Sequence, residues 1–153
     1  MEATIDLDRI YDTLTAGTTD ATLICDAIDD DRAVRDAIIT LITNPTITRD
    51  GFHLLAKRPH TTEARELTEK ATVHALQHPE DNDVTRITHA AEAIGLEADK
   101  RRDPQAHATC AYLYWLTGRD AEAAGHALTA LALDEDTSLA ALVITAIQQG
   151  VRR

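Results

Sequence analysis

The sequence predicts an all-α fold, and three observations carry that reading. Apolar residues recur at steps of three and four along almost the whole chain. No β-branched run shows sustained alternation between turns, and Gly, Pro, Thr and acidic residues fall where helices would stop and start. A chain of 153 residues fits one domain, and folding at this size buries about 70% of the surface that the unfolded chain exposes. Aromatics are 3% of the residues, so the core must come mostly from Ala, Leu, Ile and Val. Alanine-rich faces imply closely approaching helices.

A first helix is expected over "TIDLDRIYDTLT", where Ile5, Ile10 and Leu14, with Leu7 and Tyr11 beside them, form one stripe before Gly17 ends it. A second covers "DATLICDAI". The third, "DRAVRDAIITLIT", puts Ala33, Ala37, Ile38 and Leu41 on one side, with Asp29 to Asp31 at its start and Asn44-Pro45 at its stop. These three N-terminal helices take up residues 1–44. A connecting segment, 45–60, carries Pro45, Gly51 and Pro59 around a short helix near 49–57.

Thr61 or Thr62 then caps a long helix through "EARELTEKATVHALQH", with Glu63 and Glu66 in its first turn and Pro79 after its end. Asn82 or Asp83 starts "VTRITHAAEAIG", which Gly95 is expected to close. After the polar stretch "LEADKRRDPQ" come three helices, 105–117, 119–132 and 136–149, with Gly118 and Gly150 at their turns. Residues 61–153 thus read as helical hairpins.

The net charge of -11, from 26 acidic against 15 basic residues, repels a phosphate backbone and argues against nucleic acid as a partner. The acidic clusters Asp29-Asp30-Asp31, Glu80-Asp81-Asp83 and Asp134-Glu135-Asp136 are short and far apart. Each falls where a helix is expected to start, where carboxylates cap free N–H groups and complement the helix dipole. Cys25 and Cys110 are distant and sit in apolar surroundings, which reads as two reduced thiols in a cytoplasmic protein. No apolar run approaches the roughly 18 residues that a membrane helix needs, and none near the N-terminus makes a signal core.

The stretch from His107 to Asp134 resembles a single tetratricopeptide repeat. Ala111, Ala123 and Ala130 stand where that repeat needs small residues, Gly118 matches its turn glycine, Tyr114 the aromatic before it, and Leu131-Ala132-Leu133-Asp134 its apolar ending. His107, Cys110, Ala127 and Glu135 replace its first aromatic, its next leucine, its second-helix aromatic and its closing proline. One repeat length upstream, Val84 and His89 stand at the turn-glycine and small positions, so no second copy precedes it.

A second resemblance covers more of the chain. "RDAIITLIT", and much later "YLYWLTGRDAEAAGHALTALALDEDTSLAALVITAI", are similar to the C-terminal half of the actinobacterial domain-of-unknown-function family four-one-nine-two. Trp115, Gly118, Asp134 and Ser138-Leu139-Ala140 match its closing run, with Glu135 again in place of a proline. This resemblance implies a fold and a lineage, and no reaction.

His74 and His78, four apart on one helix, have the spacing of two metal ligands and would define a metal-dependent hydrolase. Ala75 stands where H-E-x-x-H needs glutamate, and a third ligand such as His89 must come from another helix, so histidines at the core edge near a helix C-terminus are the expected reading. His107 and Cys110 share a face, as a thiol–imidazole pair would, but occupy packing positions of the repeat. Lys100-Arg101-Arg102, the basic run, fits a helix end. With no phosphate loop, nucleophile elbow or EF-hand loop, neither a catalytic residue, a metal nor a cofactor is expected.

Tyr112 and Trp115 are the expected partner-binding residues. In the repeat resemblance they fall one turn apart on the face of the first helix that lines the groove, and large aromatics on an open helix face anchor protein interfaces. The alternative is that helix 62–78 or 83–94 covers them as core. The resulting expectation is a compact helical bundle ending in tetratricopeptide-like hairpins, with 105–134 as the recognisable unit. Its expected role is non-enzymatic binding of a protein partner, with a basic segment favoured by the acidic surface. A homodimer through the same aromatics is the runner-up.

Overall fold

The computed structural model describes residues 5–78, 80 and 83–151. Among them run nine α-helices and no strand: α1 Leu7–Thr15, α2 Ala21–Asp30, α3 Arg32–Thr43, α4 Arg49–Lys57, α5 Thr62–Gln77, α6 Val84–Arg101, α7 Pro104–Leu116, α8 Asp120–Leu133 and α9 Ser138–Gln148. Of the expected starts and stops, Thr4, Pro79, Asp81 and Asn82 lie outside the described residues.

Much of the acidity of the chain begins helices. Asp6, Asp20, Asp31, Asp83 and Asp103 each accept a hydrogen bond from a backbone N–H of the first turn they precede, as the hydroxyls of Thr48 and Thr61 do for α4 and α5. Each such cap contributes about 1 kcal/mol. Two of the expected acidic caps are misplaced, however. Asp29 and Asp30 close α2, and Asp31 alone starts α3, so the first two carboxylates sit at the negative end of a helix dipole.

Two helices are central. In α3 the run from Val34 to Ile42 is buried except for Asp36. Ten of the thirteen residues of α7 are buried, because α2, α3, α6, α8 and α9 all pack against it. Around α3 the core is made of large side chains, Ile10, Ile24, Ile38, Leu41 and Phe52. Around α7 it is made of small ones, among them Ala91, Ala98, Ala111, Ala123, Ala127 and Ala130, and α6, α7 and α8 accordingly approach closely. Gly118 adopts a left-handed φ of 84°, open to glycine at little cost, and lets the three-residue turn 117–119 fold α8 back on α7.

The expected stop at Gly95 is overturned, since α6 runs on through "LEADKR". A glycine ends a helix when the chain needs its positive φ, and here the need is space instead. A Cβ on Gly95 would lie 3.0 Å from Cys110 Sγ and 3.2 Å from His126 Cε1. The residues beyond it are good helix formers. The helix ends where Lys100 and Arg101 fill its last turn and Arg102 takes φ 54°, which agrees with a basic run at the negative pole.

Candidate functional site

Trp115 is 6% exposed and Tyr112 half-buried, their rings packed 5.9 Å apart. The open-face reading of this pair is corrected by the position of α7. Five helices pack against α7 and bury Trp115, while Tyr112 keeps part of its surface open and packs against the core.

His74 and His78 lie on α5 and at its C-terminal cap, with ring centroids 5.0 Å apart. Both are exposed, and His78 Nδ1 stands 3.3 Å from the carboxylate of Glu80. Among the described residues no group of three or more His, Cys, Asp or Glu is arranged to hold a metal ion. Only alanines of α5, Ala64, Ala71 and Ala75, are buried, and an open groove flanks the helix on either side. Thr46, Thr48, Lys70 and His74 line one, and Leu55, Pro59 and Val73 the other.

His107 and Cys110 do not pair. The Cys110 thiol donates to the carbonyl of Ala91 at 3.1 Å, and burial drives its pKa far above the ordinary range, so no thiolate nucleophile forms there. Burial likewise raises the Cys25 thiol to about 12. His107 turns instead to His126 of α8, Nδ1 to Nδ1 at 3.0 Å, while its Nε2 lies 3.2 Å from Asp99 of α6. Tyr114 stacks on the ring of His126 at 5.7 Å. Burial lowers the pKa of both imidazoles.

Where α2, α6 and α7 meet, Arg101 bridges Asp26 at 2.8 Å and Glu97 at 2.7 Å, with Asp29 at 3.6 Å. Asp103, 6% exposed, gives one carboxylate oxygen to the N–H groups of Gln105 and Ala106. The carboxyl of Asp29 faces Asp103, and burial first, then the hydrogen bond and charge of Asp103, raise it to about 7.

The outer surface of α8 and α9 has a different character. Only Ala140 and Val143 of α9 are buried, and residues 137–151 contain no charged side chain. Leu142 is 60% exposed and Leu128 of α8 58%. Ala121, Gly125, Leu128 and Ala132 recur at helical spacing along the exposed stripe of α8. Exposed carboxylates bracket that stripe, Glu122 at its start and Asp134, Glu135 and Asp136 at its end.

The chain matches no protein-family model, no curated protein and no solved structure. Both family resemblances therefore rest on the residues that carry them. No helix among the described residues is long and apolar enough to cross a membrane. Two features escaped the sequence reading. His126 had a signal, because counting equally from the turn at 117–119 puts residue 126 opposite residue 110, one turn from His107. The α8–α9 face had one too, in the charge-free run that follows Asp136.

Proposed function

We propose that this chain is a non-enzymatic interaction domain, and that a protein partner docks on the outer face of α8 and α9. The observations that carry the reading are the exposed leucines Leu128 of α8 and Leu142 of α9, in a chain of net charge -11. The charges around them select the partner. Acidic groups stand at both ends of α8, a helix of 14 residues and so about 20 Å long. The complementary ligand is an amphipathic helix of similar length, apolar in the middle and carrying Lys or Arg at both ends. The tetratricopeptide resemblance is consistent with such a role, since paired helices of that kind offer their faces to segments of other proteins. The role once expected of Tyr112 and Trp115 passes to Leu128 and Leu142.

A second copy of the chain fits less well. A two-fold contact centred on this face sets acidic ends against acidic ends whichever way the copies run. The test is fluorescence anisotropy with two labelled amphipathic helical peptides that share an apolar Leu/Ala centre, one with lysines and the other with glutamates at its ends. The lysine-ended peptide is expected to bind, more weakly at high salt, with affinity reduced at least tenfold by Leu142→Glu and by Leu128→Glu. Equal binding of both peptides, or indifference to both substitutions, overturns the reading. Sedimentation is expected to find monomers at all concentrations. A concentration-dependent dimer abolished by Leu142→Glu would put the homodimer in its place.

A further inference from the structure

We propose that His107 and His126 form a pH-sensitive latch that fastens α8 to α7 and lets it go on mild acidification. This inference is independent of what binds the outer face. The ring centroids are 5.2 Å apart, close to the 3.0 Å Nδ1···Nδ1 distance plus one ring radius on each side, so the two nitrogens point head-on at one another. Such a contact is attractive only with one proton between them, one nitrogen donating and the other accepting. Asp99 stands 3.2 Å from His107 Nε2 as a charge contact, and within the pair one ring donates its Nδ1–H to the bare Nδ1 of the other.

The pair has little room to part. His107 is 2% exposed, Tyr114 stacks on His126, and Gly95 lies so close to His126 and Cys110 that a methyl group there would make them give way. A first proton can enter at Nε2 of the donating ring and leave the Nδ1 hydrogen bond intact. A second must go to the accepting Nδ1, which sets two cations 3.0 Å apart and turns the contact repulsive. The surrounding groups limit the relief. From α6 come Asp99 and Glu92, from the start of α7 Asp103, from α7 the neutral Cys110 and Tyr114, from the following turn Arg119 and from α8 Glu122. Residues 138–148 of α9 bring no titratable side chain. Asp99, Asp103 and Glu122 favour the charged rings, and burial outweighs them in both histidines.

The sign follows. Histidines held neutral by the fold charge more readily in the unfolded chain, so their contribution is complete above about pH 6.5 and is lost as pH falls below it. Local release takes α8 and the attached α9 away from α7, while α3 keeps its packing against α1, α2, α4 and α5.

The experiment measures folding stability between pH 4.5 and 8 for the wild type and His126→Asn, whose amide can donate from near the Nδ1 position and does not titrate. Below pH 6.5 the folding constant of the wild type is expected to fall faster than that of the variant, by up to tenfold per pH unit. Superimposable profiles overturn the latch. Ring-proton NMR of the wild type gives a second reading should the variant not fold. No more than one of the two rings is expected to charge before α8 amides lose hydrogen-exchange protection, and that loss should precede the loss in α3. Titration of both rings near pH 6.5 with α8 fully protected overturns the proposal.

Discussion

Asp29→Asn is expected to stabilise the protein at pH 8 and to do nearly nothing at pH 4. Asp29 faces the buried carboxylate of Asp103 from the last turn of α2, and its pKa rises from 3.8 to about 7. An acid whose folded pKa is raised holds its proton better in the folded state, so the fold carries a penalty that grows between pH 4 and 7 and then levels off. Taken at face value, three pKa units amount to about 4 kcal/mol. The side chain is 41% exposed and Arg101 stands 3.6 Å away, so screening reduces this to about 1–2 kcal/mol. Asparagine removes the charge while its amide still donates toward Asp103. Urea unfolding at pH 4, 6 and 8 reads the difference as a shift in midpoint at constant slope. Asp30→Asn is the control. It takes the same charge from the same helix end and changes stability at pH 8 by a few tenths of a kcal/mol. A gain from Asp29→Asn that is equal at pH 4 and 8, or a loss at pH 8, refutes the argument.

Gly95→Ala places a methyl group against Cys110 Sγ and His126, and overpacking of this kind costs about 1–3 kcal/mol. Higher helix propensity returns up to about 1 kcal/mol, so urea unfolding should record a net loss that shrinks in a Cys110→Ala background. Trp115, the one tryptophan of the chain, is 6% exposed. Its emission is expected to be blue-shifted and protected from acrylamide at every protein concentration, and Trp115→Ala to cost about 3–5 kcal/mol.

The helices were legible because each is specified locally, by an apolar stripe and a capping side chain such as Thr61 or Asp103. What misled was a residue with two possible uses. Gly95 has the composition of a stop, yet only the neighbours of α6 reveal that it is there for clearance. Asp29 and Asp30 look like caps until α2 is seen to extend over them. The site was harder to read for the same reason. The stripe of a half-buried helix shows in the periodicity of its sequence, but α7 is apolar nearly all round. Which of its faces stays open is therefore a property of the packing, and α2, α3, α6, α8 and α9 between them cover most of it.

α7 also joins the two titrating pairs. Asp103 begins it beside Asp29, and His107, one turn later, meets His126. The pairs act with opposite sign. The acid pair penalises the fold as pH rises toward 7, and the imidazole pair penalises it as pH falls below about 6.5. Over the interval where both titrate, each partly cancels the other, so the wild-type stability is flatter with pH than either pair alone would make it. Asp29→Asn removes one side of that balance and makes the protein steeper toward acid, whereas His126→Asn leaves the penalty toward neutral pH more fully exposed. Opposite changes of slope from substitutions on α2 and α8 would separate these pairs from a diffuse effect of net charge, which would move both profiles in the same direction.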